Sequence, residues 1–499
     1  MSLNPTKKNE ERLNRRLGIV GLTATGVCSM LGASVYVVPF MIQRNVPGIG
    51  PYVLYAFVFA ALPCFFAALS YAILSSAMPR AGGSYIYASR GLHPYLGFIS
   101  SFSQWFGLSI VIGVISYIIV PFIRDVAIAL EWEQTAYLLD QGMYRVGIAL
   151  ILLWSFVYVN IRGAKTYERT LIPLMVVMFL LGGIVIISGF HFDQTDFIQA
   201  LNNSGVDFKP SSSSTTLSWI TFMSAAALLF SSYIGFDSIA QAGGEAKNPT
   251  SNLPLAIILA LVTVGGYYML FTAAVYHTVP WEFVAQEAIN KDISAPGLLS
   301  YLLHPGIAVL IIAGAAIALI NDLPAMLLSV SRMIFAWAED RIFPDYLADV
   351  HSTFQTPYKA ILASGVMATL GILGCHFAGD FFLGIDIMVT SMMVNFLIIC
   401  ITLITIPSVN SALHNQIKFV AKRSIQVFIG YSGTILLVLF LSVHTFKDLT
   451  SDVDSWYFRS TPIWLIVMAL ASVIYFYKMR IMKNEGVDIE DQFKSLPEN

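Results

Sequence analysis

The stretch GVCSMLGASVYVVP, residues 26–39, places glycine and serine in the middle of a long apolar segment. A second stretch, SSYIGFD at residues 231–237, does the same further along the chain. Such residues weaken a helix, and unpaired backbone groups at membrane depth are tolerated only where they line a cavity enclosed by protein. We therefore predict two membrane helices that are interrupted near Gly32 and near Ser231.

The composition supports a membrane setting for both stretches. The 499 residues are 57% hydrophobic and only 12% charged, and the mean hydropathy is +0.71, whereas soluble domains carry about 25% charged residues. Because one membrane helix needs roughly 20 apolar residues, the chain has room for about a dozen. Hydropathy predicts twelve spans, at residues 17–43, 51–77, 95–124, 142–160, 170–190, 217–245, 253–278, 304–338, 357–376, 381–406, 425–445 and 461–478.

The distribution of charge predicts orientation and excludes nucleic acid as a partner. The net charge is -2, and the 28 basic residues form no single patch. With the N-terminus inside, about 21 of these 28 residues fall in the tails and loops of that side. The positive-inside rule then predicts a multi-pass protein of the plasma (inner) membrane whose two tails, 1–16 and 479–499, are both cytoplasmic.

The spacing of the two interrupted spans predicts an internal repeat. They lie five spans apart, so they run in opposite directions across the bilayer. This is the expected trace of an inverted repeat whose broken first helices meet at the midplane. We predict a transport core at 17–406, with repeats at 17–190 and 217–406, and two peripheral helices at 425–478. The alternative is that the small residues only let neighbouring helices pack closely.

Five motifs in register resemble one family. They are GVCSMLGASVYVVP at 26–39, MPRAGGSYIY at 78–87, NIRG at 160–163, IGFDSIAQAGGEAKNPTSNLP at 234–254 and SRMIFAWAEDRIFP at 331–344. These motifs are similar to those of the amino acid, polyamine and organocation transporter superfamily, in its amino acid permease branch. The resemblance implies a LeuT-like fold, with ten core helices and two peripheral ones, that transports amino acids or related amines by alternating access.

The sequence departs from the family pattern at several positions. Cys28 and Ser34 replace glycines that are usual in the first span. Met178 stands where a proton-coupled branch has a lysine, so that lysine cannot couple transport here. Ala325 and Ser231 occupy positions where arginine exchangers place a tryptophan, which argues against a stacked guanidinium as substrate.

The two interruptions suit the two ends of an amino acid. The second half of span 1 starts with free N–H groups and the positive end of a helix dipole, which favours a carboxylate, whereas the first half of span 6 ends with carbonyls that favour an ammonium. By resemblance, the substrate-binding residues are Met30, Gly32, Ala33, Ser34, Ser231, Ile234 and Gly235. The residues expected to contact the substrate side chain are Leu108, Val111, Tyr233, Phe236 and Ala325. Their small or apolar character favours a neutral substrate.

Three carboxylates fall inside predicted spans, and each needs a partner, water or a proton. Asp322 shares one helix face with Ala318 and Asn321, and the LeuT-like fold implies that this face is the cation site opposite the break in span 1. We hypothesise that Asp322 takes up a proton or coordinates sodium; the alternative is a structural hydrogen bond. Asp237 is interpreted mainly as a helix-end bracing group. Asp386 either carries protons or pairs across helices.

The leading prediction is a secondary active transporter that moves an amino acid, by proton- or sodium-coupled symport or by exchange. The runner-up substrate is a polyamine or a cationic amino acid, which the three acidic side chains would suit. An enzyme is not expected, because the chain has neither an H-E-x-x-H nor a G-x-S-x-G motif. No catalytic residue, metal site or cofactor is predicted, apart from sodium as a bound ion, and the sequence leaves the oligomeric state open.

Overall fold

The structure of the chain is a computed structural model. It describes residues 13–32, 34–206, 208, 217–290, 293–378, 382–451 and 456–497. Within these ranges the chain is all-helical, and 12 helical segments are long and apolar enough to cross a membrane. The number of spans predicted from the sequence is confirmed.

Spans 1 and 6 are each built from two helical pieces, and the other ten spans are continuous. Span 1 consists of half-helix 1a, Ile19–Met30, and half-helix 1b, Ser34–Asn45. Span 6 consists of half-helix 6a, Trp219–Leu229, a 3-10 turn at Phe230–Tyr233 and the short helix 6b, Ser238–Gln241. Spans 2, 3, 4, 5, 7, 8, 9, 10, 11 and 12 are Val53–Ser75, Pro94–Ala129, Gly142–Ile161, Ala164–His191, Pro249–Thr278, Pro305–Glu339, Tyr358–Ala378, Phe382–Val409, Arg423–Thr450 and Ser460–Asn484.

Shorter helices connect several of the spans. One of them, Gly83–Gly91, lies between spans 2 and 3 on the side of the membrane that carries both chain ends, here called the termini side. The others are Glu133–Asp140, Gln194–Asn203, Trp281–Asn290, Ala295–Leu299, Ser411–His414 and Ile489–Gln492, with 3-10 turns at Gly50–Tyr52, Gly243–Glu245, Asp345–Ala348 and Trp456–Phe458.

Span 5 starts six residues earlier than the hydropathy windows predict. Gly163 adopts a φ of 92° directly after span 4, a conformation that costs glycine little. The chain therefore turns at once and the new helix begins at Ala164. The first two turns contain Lys165, Glu168 and Arg169, whose polarity hid the helix from a hydropathy measure.

The packing of the ten core spans has the symmetry of an inverted repeat. Span 1 packs on span 7, as span 6 packs on span 2, and span 3 packs on span 10, as span 8 packs on span 5. Span 3 also packs on span 8, and span 4 on span 9. Exchanging each span with the one five places away leaves this set of contacts unchanged. The architecture is the LeuT-like fold expected for two broken helices in equivalent positions.

Spans 11 and 12 lie at the periphery. Span 11 packs on spans 2, 6 and 10, and span 12 packs on spans 3 and 10. Large apolar side chains point away from the protein all round the bundle, including Ile187, which is 73% exposed, and Val473, which is 67% exposed. Such side chains are stable at a surface only where lipid covers them.

Candidate functional site

The break in span 1 is held open by a tyrosine from span 7. Half-helix 1a ends at Met30 and 1b begins at Ser34. The hydroxyl of Tyr268 donates to the Met30 carbonyl at 3.1 Å and is also hydrogen-bonded to the Ser34 hydroxyl. This one side chain therefore replaces hydrogen bonds that a continuous helix would have made. The predicted site residue Ala33 lies outside the described residues.

The break in span 6 is sharper than the break in span 1. After the 3-10 turn, Ile234 is extended, with ψ of 132°, and Gly235 has φ of 135°. A Cβ atom on Gly235 would overlap the carbonyl oxygen of Ser29. Only glycine fits this position, because it tolerates the backbone angle and leaves room for the neighbouring chain.

The end of half-helix 6a differs from the prediction. The sequence predicted free carbonyls near Ser231, but its carbonyl accepts from the Ile234 N–H at 3.2 Å, and its hydroxyl donates to the Leu228 carbonyl at 2.8 Å. The 3-10 turn extends the helical backbone to Tyr233, so the interruption lies two residues later than expected. A 3-10 turn of this kind commonly closes a helix end.

The two breaks contact each other directly. The Ser29 hydroxyl, at the end of 1a, is hydrogen-bonded to the Ser238 hydroxyl, at the start of 6b, with 2.9 Å between the oxygens. Both side chains are buried. Half-helix 1a of the first repeat is thus linked directly to helix 6b of the second.

A cavity of about 600 Å³ runs from the breaks towards the side opposite the termini. Its lining includes seven of the residues selected from the sequence: Met30, Ser34, Val111, Ser231, Ile234, Asp322 and Asp386. Most of the remaining wall is apolar and comes from 1b, span 3 and span 8. At its far end the cavity reaches Arg124 and Asp125, which are 30% and 43% exposed, so it opens on that side.

Four residues expected to contact the substrate side chain lie behind the cavity wall. Leu108 and Ala325 are buried and line no part of the described cavity. Tyr233 turns away, and its hydroxyl donates to the Phe57 carbonyl at 3.2 Å. Phe236 stacks on Phe396 with ring centroids 4.8 Å apart. In this arrangement the four side chains therefore do not form part of the cavity wall, because the sequence indicated a helix near the site but not which of its faces packs in an aromatic core.

Asp322 lies against the break in span 1. A Cβ atom on Gly32 would overlap the Asp322 carboxylate, so this glycine is needed for the close approach. Asp322 is only 4% exposed, and within the described residues its carboxylate accepts no hydrogen bond. The neighbouring Asn321 side-chain amide donates to the Cys28 sulfur at 2.9 Å, and Ala318 is fully buried on the same helix.

The other two acidic residues have different surroundings. Asp237 is fully buried away from the cavity and accepts a hydrogen bond from the Gln104 side chain. Gln104 in turn accepts from the side chains of Gln241 and Asn395, at 3.3 and 3.1 Å. Asp237 thus belongs to a buried polar network that joins spans 3, 6 and 10. Asp386 lines the outer part of the cavity.

On the termini side the protein is closed by two buried ion pairs that sequence reasoning did not assign. Arg332 of span 8 contacts Glu245 at 2.6 Å, with both side chains no more than 3% exposed. Arg90 makes two hydrogen bonds to Asp340, at 2.6 and 2.8 Å. A single sequence does not indicate which residues pair when they are this far apart in the chain. It does indicate that a buried arginine in a membrane protein needs an acidic partner.

The Arg90–Asp340 pair also holds a buried tyrosine. The Tyr85 hydroxyl donates to the Asp340 carboxylate at 2.5 Å. Burial and the adjacent negative charge of Asp340 raise the pKa of Tyr85 well above its usual value. Tyr85 therefore stays protonated and acts as a hydrogen-bond donor at this closed end.

The described residues contain no group of three or more His, Cys, Asp or Glu side chains that could hold a metal ion. Among the carboxylates that line the cavity, Asp322 is the one beside the break in span 1. Two broken helices in contact, a cavity closed at one end and a buried carboxylate beside the break are the features of a membrane transporter of the LeuT-like fold.

Comparison with known proteins gives the family. The sequence model of the family described as amino acid permease matches residues 17–471. The chain therefore belongs to the amino acid permease family, and it is a multi-pass membrane transporter rather than an enzyme. The resemblance inferred from the five motifs is confirmed.

The chain is also similar to individual transporters. It is 27% identical to the branched-chain amino acid permease BcaP of Bacillus subtilis (strain 168), over 72% of this chain and 75% of that protein. It is 25% identical to the methylthioribose transporter of the same organism, over 74% and 76% of the two chains. It is 27% identical to the cationic amino acid transporter 4 of Homo sapiens, over 72% of this chain and 55% of that protein.

We predict that Tyr268→Phe weakens transport through loss of the hydroxyl that bridges the break in span 1. One hydrogen bond of this kind contributes about 0.5–1.5 kcal/mol, so uptake efficiency in liposomes should fall by roughly two- to tenfold. Tyr267→Phe is the matched control, because the Tyr267 hydroxyl has no hydrogen-bond partner in the described part of the chain. Equal uptake by both variants would contradict the bridging role.

Proposed function

We propose that the protein is a secondary active carrier that moves a neutral amino acid by alternating access, coupled to a proton or sodium through Asp322. The observation that carries this proposal is the buried Asp322 carboxylate, which has no hydrogen-bond partner in the described chain and faces both the cavity and the break in span 1. A buried carboxylate without a partner requires a proton or a cation.

The binding of the amino acid headgroup follows from the half-helices. The N-terminus of 1b, at Ser34, lies on the cavity and offers backbone N–H groups and the positive end of a helix dipole to a carboxylate. The cavity wall at Ser231 and Ile234 adds the C-terminal end of half-helix 6a, where the negative end of the helix dipole favours an ammonium. Met30 and Gly32 supply backbone on the other side of the break. These contacts recognise the part that all amino acids share.

The rest of the cavity favours an apolar substrate side chain. Its wall beside the break includes Val37, Met41, Val111 and Met326. Burying a hydrocarbon side chain against such residues is favourable by about 25 cal/mol per Å². The runner-up is a cationic amino acid or polyamine, which the carboxylate of Asp386 in the outer wall would favour.

The arrangement of open and closed ends supports alternating access. The cavity is open opposite the termini, while the pairs Arg332–Glu245 and Arg90–Asp340 close the termini side. We propose that the protein sits in the plasma (inner) membrane with both termini in the cytoplasm, on the basis of the excess of lysine and arginine on that side. The structure then represents an outward-open state, and transport requires the termini-side pairs to separate.

Counterflow in proteoliposomes tests the carrier function. Liposomes loaded with an unlabelled branched neutral amino acid should accumulate the labelled form transiently, because a carrier exchanges one molecule for another. A panel of unlabelled competitors then gives the substrate class. Inhibition by leucine-like substrates supports the proposal, and inhibition by lysine or putrescine alone would favour the runner-up. Failure of every amino acid and amine to drive counterflow would overturn the carrier proposal.

Asp322→Asn tests the coupling. The amide cannot take up a proton and carries no charge for sodium, so concentrative uptake driven by a pH or sodium gradient should be lost. Exchange without a gradient should persist, because the headgroup contacts are mainly backbone. Asp386→Asn is the matched control, and its uptake should still depend on the gradient of the coupled cation. Gradient-driven uptake by Asp322→Asn at the unmodified rate would exclude this residue as the coupling group.

A further inference from the structure

The outer end of the cavity contains an arginine without an acidic partner. Arg145, near the start of span 4, lines the cavity and is partly buried, and no carboxylate within the described residues forms an ion pair with it. The nearby Arg124 differs, because it is paired with Asp125 at 2.8 Å and with Asp140 at 2.7 Å. Arg145 therefore carries a positive charge that no side chain of the described protein neutralises by contact.

Span 3 holds the Arg145 side chain in one orientation. Its guanidinium lies over the Tyr117 ring, 3.8 Å from the ring centroid, and its Nε donates to the Tyr117 carbonyl at 3.2 Å. That carbonyl is available because Pro121, four residues later, has no N–H to donate to it. The Tyr117 hydroxyl is itself hydrogen-bonded to the His376 ring at 3.0 Å. These contacts use the ring face and Nε, and leave both terminal nitrogens of Arg145 as unused donors.

We propose that Arg145 is an outer binding site for the substrate carboxylate, occupied before the substrate reaches the broken helices. This inference rests on the proposed transport of amino acids. A fixed guanidinium binds carboxylates through two parallel hydrogen bonds, and an unpaired cation in a low-dielectric channel raises the local concentration of anionic groups. Arg145 is thus a substrate-binding residue at the entrance of the cavity, distinct from the proposed central site at Ser34 and Ile234.

The test compares Arg145→Gln with Arg145→Lys in proteoliposomes, at fixed sodium and with ionic strength raised by choline chloride. Arg145→Gln should lower kcat/KM for the neutral amino acid about three- to tenfold at low ionic strength, mostly through KM, because the charge-assisted hydrogen bonds to the substrate carboxylate are lost. The wild-type kcat/KM should fall as salt screens the charge, and that of Arg145→Gln should stay flat. Arg145→Lys keeps the charge and should keep the salt dependence.

A purely structural arginine would give a different pattern. If Arg145→Gln and Arg145→Met, which keeps hydrocarbon packing on Tyr117, both retain the wild-type kcat/KM and its salt dependence, the outer site does not exist. A fall in kcat with no change in salt dependence would also overturn the proposal, since it would show that Arg145 only supports the helices. Absence of counterflow by the wild-type protein would instead refute the proposed function.

A second observation concerns residues 489–497, here called the strap, which lies beyond the 17–471 match to the family. The strap covers the buried Arg90–Asp340 pair. The Phe493 ring lies 4.9 Å from the Arg90 guanidinium and is only 4% exposed. The Gln492 side chain donates to the Asp340 carbonyl at 3.1 Å.

Backbone contacts fix the rest of the strap. Arg90 Nε donates to the Ser495 carbonyl at 3.3 Å, and Arg80 Nε donates to the Pro497 carbonyl at 3.0 Å. The Asn410 side chain, just after span 10, donates to the Lys494 carbonyl at 3.0 Å. The strap therefore ties the helix Gly83–Gly91 to the ends of spans 8 and 10, which are elements of the closed termini side.

We also infer that the strap restrains opening of the termini side and so limits the rate of transport. Cations stack on aromatic rings more strongly when both are shielded from water, so the buried Arg90–Phe493 contact stabilises the closed arrangement. A chain that lacks the strap should reach the opposite conformation more often, because a less stable closed state shifts the population.

Truncation after Glu485 and the substitution Phe493→Ala test this restraint in the full transporter. Both should increase the initial rate of exchange by about three- to tenfold, with Ser495→Ala as control, because it keeps the carbonyl that Arg90 uses. The inference would be overturned if both variants exchange substrate at the unmodified rate. It would also be overturned if they exchange more slowly while still eluting as folded protein, since the strap would then have a purely structural role.

Discussion

The fold depends on one close contact, where the backbone of span 1 meets the backbone of span 6. Gly235 lies so near the Ser29 carbonyl that no side chain fits between them, and the two serine hydroxyls beside it link the half-helices. Interrupted backbone is unstable in hydrocarbon unless its polar groups are satisfied inside the protein. By placing the two interruptions against each other, the fold keeps them away from lipid and leaves one face of each for a ligand.

The buried charges are distributed unevenly about this contact. On the termini side Arg332 and Glu245 are paired, and breaking such a buried pair by removing one partner costs about 3–5 kcal/mol. Beside the break, Asp322 has no partner in the described chain. An ionised aspartate at the centre of a membrane costs about 2.5–3.5 kcal/mol on insertion scales. The acidic side chains Glu245 and Asp340 at the closed end are thus each paired with an arginine, whereas Asp322 at the centre has no such partner within the described chain.

The sequence predicted the parts of this arrangement that depend on composition and periodicity. The twelve spans and the two interruptions follow from apolar runs and small residues. The proximity of Asp322 to the first break was instead implied by the family resemblance, and periodicity added only that Asp322 shares one helix face with Ala318 and Asn321. The inward-pointing side chains were harder to predict. Tyr233 and Phe236 flank the second break in sequence, but their rings pack on Phe57 and Phe396, and this orientation depends on the unusual backbone at Gly235.

Contacts between segments that are distant in the chain also could not be predicted from a single sequence, because they too depend on the three-dimensional packing. Tyr268 reaches the first break from a helix whose sequence is uniformly apolar around it, so nothing local distinguishes it from Tyr267. The partners of Arg332 and Arg90 lie 87 and 250 residues away. The need for a partner could be deduced from the cost of a buried charge, whereas the identity of that partner is a property of the three-dimensional packing.

The positions of the central site and the closed end indicate how one could control the other. Asp322 and Arg332 lie on the same continuous helix, ten residues or about 15 Å apart, and Glu245 ends the 3-10 turn Gly243–Glu245 that comes after helix 6b. Span 8 and span 6 thus carry both the unpaired carboxylate and the pair that closes the termini side. A ligand shifts a conformational equilibrium only by the difference in its affinity for the two states. A cation at Asp322 and a substrate between the half-helices, as proposed above, would act on the two elements whose separation opens the pair, so their binding would bear directly on the closed end.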